Sequence, residues 1–112
     1  MNVNIMIINA LSSLSLPTAP NVYTGTSEEY ITFNYADERP ALRADDEDIL
    51  DETTIQVHYF TKNNPQTNKK AIRRLLRAAG FTIQSTQELY ESDTGYIHII
   101  VYAWIEGATN DN

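Results

Sequence analysis

The sequence predicts an α+β domain: an antiparallel sheet of four or five strands with two helices packed on one face. Three observations lead there. Residues 63–80, NNPQTNKKAIRRLLRAAG, set Ala71, Ile72, Leu75, Leu76 and Ala79 at steps of one, three and four, the stripe of an amphipathic helix. Residues 53–62, TTIQVHYFTK, and 96–106, YIHIIVYAWIE, alternate with the period of two that belongs to strands. A chain of 112 residues is one domain, able to bury about two thirds of the surface its unfolded form exposes.

Near the N-terminus, Val3, Met6, Ile7, Ala10, Leu11 and Leu14 recur at helical spacing until Pro17 and Pro20 stop the pattern, which predicts a first helix of about three turns. Its polar side carries Asn and Ser rather than Lys or Arg, so core packing is the better reading than a membrane-surface helix. Neither a basic segment nor a small-residue cleavage site accompanies this apolar run, and it is too short to span a bilayer; the expectation is a soluble protein made in the cytoplasm. Val22 to Thr24 reads as a short strand. Tyr30 to Ala36 reads as another, with Ile31, Phe33 and Tyr35 alternating against Tyr30, Thr32 and Asn34.

From 37 to 52 the chain reads DERPALRADDEDILDE, eight acids in sixteen residues without sustained periodicity, and is expected to be a long acidic loop. A calcium loop needs spaced ligands, a glycine at the sharp turn and a distal glutamate in register, and this stretch has no glycine. A solvated loop, or an arm that orders against a partner, remains.

In TTIQVHYFTK, Ile55, Val57 and Tyr59 face one way and Gln56, His58 and Phe60 the other. The helix follows, with Asn64 available as cap, Pro65 suited to the first turn and Gly80 able to end it. Phe81 to Gln87 and Leu89 to Glu91 are strand-like, and Ser92 to Gly95 is a turn. On the last strand Ile97, Ile99, Val101, Ala103 and Ile105 suit the helices, while Tyr96, His98, Ile100, Tyr102 and Trp104 make an opposite face more apolar than one open to water should be. The domain is expected over 1–107, with 108–112 a flexible tail. Its architecture is a variant of the ferredoxin-like sandwich.

No catalytic motif is present: neither a GxSxG elbow, an HExxH pair, a P-loop nor a GxGxxG turn, and the chain reads as a non-enzyme without cofactor or metal. His58 and His98 sit mid-strand and become neighbours if those strands pair, where they could bind a metal or titrate together; surface or interface histidines are the default. Glu88, Glu91 and Asp93 suggest an acid and base pair only if a pocket supports them. The absence of cysteine removes disulfides and thiolate chemistry.

Charge says more. The net charge is -7 and the pI about 4.6, against general affinity for nucleic acid. Residues 28–52 hold ten acids against Arg39 and Arg43, whereas 62–77 hold six cations and no acid. Lys69, Lys70, Arg73, Arg74 and Arg77 on the helix, with Asp45, Asp46, Glu47 and Asp48 in the loop, are therefore candidate interface residues. They could meet within one chain or between copies, and a heterologous contact between copies closes into a ring if the rotation permits. Phosphate binding by the helix is a third use. Tyr102 and Trp104 offer apolar area for contact.

The short N-terminal helix, the block YITFNYADERPALRADDEDILDETTIQVHYFTK, the basic helix KKAIRRLLRAAGF and the closing ELYESDTGYIHIIVYAWIEG together resemble the small tail terminator (tail completion, head-tail joining) proteins of long-tailed phages and prophages. The resemblance covers residues 2–107 and includes an acid, an aromatic and a histidine near the end, here Asp93, Tyr96 and His98. An unusually acidic loop departs from the family pattern. The resemblance implies a hexameric ring that caps the tail tube and docks on the head connector or stopper, with DNA passing through unread, and a place in the virion after assembly in the host cytoplasm. A stopper protein would show more β-barrel pattern and less helix; a small adaptor domain would be a monomer.

Overall fold

The computed structural model describes residues 2–40 and 51–107. The run Asp45, Asp46, Glu47 and Asp48 and the expected tail at 108–112 lie outside the described residues. In chain order the elements are α1 (Val3–Leu11), a 3-10 turn (Ser12–Leu14), β1 (Thr18–Pro20), β2 (Tyr30–Pro40), β3 (Asp51–Thr61), α2 (Gln66–Ala78), β4 (Thr82–Glu91) and β5 (Tyr96–Glu106). The five strands lie in the order β1-β2-β3-β5-β4, with both helices on one face. This is the α+β sandwich that the sequence predicts.

Local chemistry explains both helices. Asn2 caps α1 by accepting from the Ile5 amide at 3.2 Å, and Val3, Ile7 and Leu11, four residues apart, are fully buried. At α2 the Asn64 side chain accepts from the Gln66 amide at 3.0 Å, while the Pro65 carbonyl accepts from the Lys69 amide at 2.8 Å. Its far end is a Schellman closure. Gly80 takes φ +106°, its amide donates to the Arg77 carbonyl and the Phe81 amide to the Leu76 carbonyl, both at 3.0 Å, and Phe81 and Leu76 are buried in the same core.

All strand pairs but one are antiparallel. The exception is β1, which runs parallel to β2 with Thr18 opposite Ile31 and Pro20 opposite Phe33. The strand expected at Val22 to Thr24 is therefore displaced to Thr18–Pro20. Asn21 takes the left-handed conformation (φ 66°) that Asn tolerates, the chain turns away, and Val22 is exposed. Pro20 fits there because β1 is an edge strand, whose outward amide positions make no ladder bond that a proline would break. The loop back to β2 curls around Tyr23, whose hydroxyl accepts from the Ser27 amide at 2.8 Å. A Cβ on Gly25 would collide with that hydroxyl, so a larger residue there would force the Tyr23 ring to move.

β2 and β3 pair out to Pro40 opposite Asp51. Both flanks of the loop expected over 37–52 are thus strand. Ladders pair through backbone whatever the side chains, and the shift between Tyr35 and Asp37 inserts Ala36 and breaks the alternation there. A second shift, between Ile83 and Ser85, lies in β4, which is one continuous strand where the sequence suggests two. On the helix side, Ile31, Phe33, Ile55, Val57, Tyr59, Ile99, Val101, Ala103 and Ile105 pack against Ile7, Leu11, Ile72 and Leu76.

Candidate functional site

Two surfaces carry the residues singled out by sequence. The first is α2, seated against α1 on one side and β4 on the other. This seat divides the five cations. Lys69 points toward β4 and pairs with Glu88 at 3.3 Å. Arg73, one turn on, is half-buried, and its Nε is buried without a partner. Lys70 and Arg74, again one turn apart, are exposed, as is Arg77, seven residues after Lys70 and so on the same face. Among the described residues no ion pair engages Lys70, Arg74 or Arg77.

The second surface is the face of the sheet that neither described helix covers. Register brings Tyr30 opposite Phe60 and Phe60 opposite His98, while Tyr96 stands beside Glu91. The rings stack: Tyr23 on Tyr30 at 4.5 Å, Tyr30 on Phe60 at 4.8 Å, and Phe60 on His98 at 4.2 Å between centroids. Tyr96 meets Tyr30 and Phe60 edge-on, and Lys62 Nζ lies 5.0 Å from the Tyr96 centroid, within cation–π range. Tyr102 and Trp104 lie toward the other end of β5, both half-buried; the Tyr102 hydroxyl donates to Gln87 Oε1 at 3.4 Å.

A polar relay crosses this face. Asn34 Nδ2 donates to Gln56 Oε1 at 3.5 Å, which turns Asn34 Oδ1 toward His58 Nε2 at 2.8 Å. His58 Nε2 therefore carries the proton, and its bare Nδ1 accepts from His98 Nε2 at 2.8 Å. His98 Nδ1 remains, facing Glu91 Oε2 at 3.6 Å. Burial and then the neighbouring His98 push His58 down to about 4; burial also lowers His98, opposed by the Glu91 carboxylate. The expectation that the two imidazoles become neighbours holds. They bond to each other rather than converge on a metal, and among the described residues no group of three or more His, Asp or Glu side chains could hold one.

Glu88 and Glu91 sit on opposite faces of β4, one against Lys69 and the other against His98, so they form no acid and base pair. Asp93 is exposed in the β4–β5 turn, while Tyr96 and His98 belong to the aromatic cluster. Sequence reasoning missed the cluster as a unit. Its signal was the placing of Tyr30 and Phe60 on the outward positions of two strands, legible only once register is known.

No family model and no curated protein matches this chain. Its fold is similar to that of a chain in the virion of a native gene transfer agent particle. The match has a TM-score of 0.59 at 11% sequence identity and covers 87% of this chain and 82% of that one. Among the described residues, no helix is long and apolar enough to cross a membrane.

Proposed function

We propose that this chain is a structural virion protein that closes the end of a phage tail tube as a six-membered ring and joins the tail to the head connector. The observation that carries the reading is the fold shared, over most of both chains, with a chain of a gene transfer agent virion. The order of elements that resembles tail terminators supports it. So do two surfaces suited to association: a sheet face rich in half-buried aromatics, and a helix with cations left unpaired within the described residues.

In this reading Lys69, Lys70, Arg73, Arg74 and Arg77 of one copy meet the acidic segment with Asp45, Asp46, Glu47 and Asp48 of the next, and Tyr102 and Trp104 add apolar contact. Other partners are the tail tube protein and the connector or stopper. DNA passes through without being read, because an acidic lining repels phosphates. Assembly takes place in the host cytoplasm and the product stays in the virion. The test is to mix the purified protein with assembled tail tubes of the same virus and image them by negative stain. Density at one tube end with six-fold averages supports the reading; tubes left bare or coated along their length contradict it.

A further inference from the structure

The polar relay on the open sheet face takes one side chain from each of the four long strands: Asn34 of β2, His58 of β3, His98 of β5 and Glu91 of β4. Its hydrogen bonds run one way, from His98 Nε2 to His58 Nδ1 and from His58 Nε2 to Asn34 Oδ1, both at 2.8 Å. The chain of donors therefore ends on a bare His98 Nδ1 that faces Glu91 Oε2 at 3.6 Å, one acceptor against another and beyond hydrogen-bond range. The second carboxylate oxygen, Oε1, accepts from the Thr94 hydroxyl at 3.1 Å, so Glu91 also holds the turn between β4 and β5.

We propose that His98 Nδ1 is a proton-operated latch: one proton taken there from solvent turns the two facing acceptors into a charge-assisted bond to Glu91 and ties the β4–β5 turn, through the relay, to β2. No existing bond is lost, because Nε2 keeps its hydrogen bond to His58. A proton arriving at His58 instead finds both nitrogens engaged and must break the contact with His98. Stacking favours the same order, since the His98 ring lies on Phe60 with centroids 4.2 Å apart, where an aromatic face attracts a cation.

The other groups around the pair leave this role to Glu91. From β5 and β2 come the phenols of Tyr96 and Tyr30, and phenols carry no charge in acid. From β3 comes Lys62, whose ammonium stands by the Tyr96 ring, while Glu52 lies at the far end of that strand opposite Glu106. Asp93 in the turn is exposed, and both helices lie on the other face of the sheet. Burial lowers both histidines, His58 to about 4, and at His98 the Glu91 carboxylate offsets part of the effect. The latch thus closes below pH 6.5 and before His58 takes a proton. It rests on the relay alone and is independent of the virion reading.

Long-range proton–nitrogen spectra of the histidine rings, recorded on the whole protein from pH 8 to pH 4.5, read which nitrogen takes the first proton. At pH 8 His98 is expected as the Nε2–H tautomer. On acidification its Nδ1 gains a proton first, while His58 keeps its Nε2–H tautomer. Glu91→Gln removes the charge and keeps the shape, and should lower the His98 midpoint by about one pH unit, a tenfold loss of proton affinity. The Gly95 amide, which donates to the Glu91 carbonyl at 2.8 Å, should gain about threefold in hydrogen-exchange protection between pH 7.5 and pH 5.5 in the native chain and nothing in the variant. A first proton on His58, a His98 that already carries Nδ1–H at pH 8, an unchanged His98 midpoint in Glu91→Gln, or equal Gly95 protection at both pH values would each overturn the latch.

Discussion

His58 has both ring nitrogens engaged, one by Asn34 and one by His98, so a second proton on it must break the bond to His98. Its value, lowered from 6.5 to about 4, means that the unfolded chain takes up this proton before the folded one does. The associated stability is therefore present above about pH 6.5 and is lost as pH falls from 6.5 toward 4. Urea denaturation at several pH values should show this loss, and the double variant His58→Gln/His98→Gln should show a shallower slope in that window; equal slopes would mean that the pair has no such linkage. Tyr59 makes a different kind of polar centre. Buried among the core residues, it donates to a Glu29 carboxylate oxygen and accepts from Asn68 Nδ2 at 3.0 Å, which ties the approach to β2 to the first turns of α2. Tyr59→Phe keeps the ring and removes the hydroxyl that both partners bond, leaving Asn68 Nδ2 and Glu29 Oε2 only their own contact at 3.4 Å, at a cost of about 1–3 kcal/mol. The denaturation midpoint should fall with an unchanged urea dependence, and an unchanged midpoint would show that water replaces the hydroxyl.

Among the elements, α2 was the most legible in sequence because the apolar stripe and Gly80 agree; its start lies one residue later than Asn64 suggests, with Pro65 as the cap and the Asn64 side chain accepting from the Gln66 amide. Gly80→Ala forces a Cβ into the left-handed region and should cost about 1 kcal/mol, while Leu76→Ala removes a fully buried side chain and should cost about 2–5 kcal/mol. Thermal unfolding of the two variants checks both; no loss at Gly80→Ala would contradict the closure described for this helix. β3 and β5 were legible for the same reason, since Ile55, Val57 and Tyr59 and then Ile99, Val101 and Ala103 alternate without a break. β1 was not, because three residues give no period, and its parallel pairing depends on a loop held by the Tyr23 hydroxyl. The far half of the β2–β3 hairpin was hidden by the bulge at Ala36 and by a charged sequence without alternation, which backbone pairing does not require.

For the whole molecule, the candidate site was half legible. The sequence shows which residues of α2 are cationic and which side chains of β5 lie opposite its apolar face. How they divide depends on tertiary placement: β4 claims Lys69 through Glu88, Arg73 is half-buried, and Lys70, Arg74 and Arg77 are left exposed. The histidine pair followed from strand pairing, but its bond to Asn34 needed the register of a third strand. An excess of acid in one stretch and of base in another gives each copy a charge asymmetry, which the proposed ring would satisfy by setting the acidic stretch of one copy against the basic helix of the next. The measurement that tests this account most directly is the mass of the purified protein in solution, by light scattering after size exclusion, across concentration and salt. The proposed ring predicts a species of about six copies that grows with concentration and dissociates as salt screens the contact. A single-copy mass at every concentration and at low salt would contradict it.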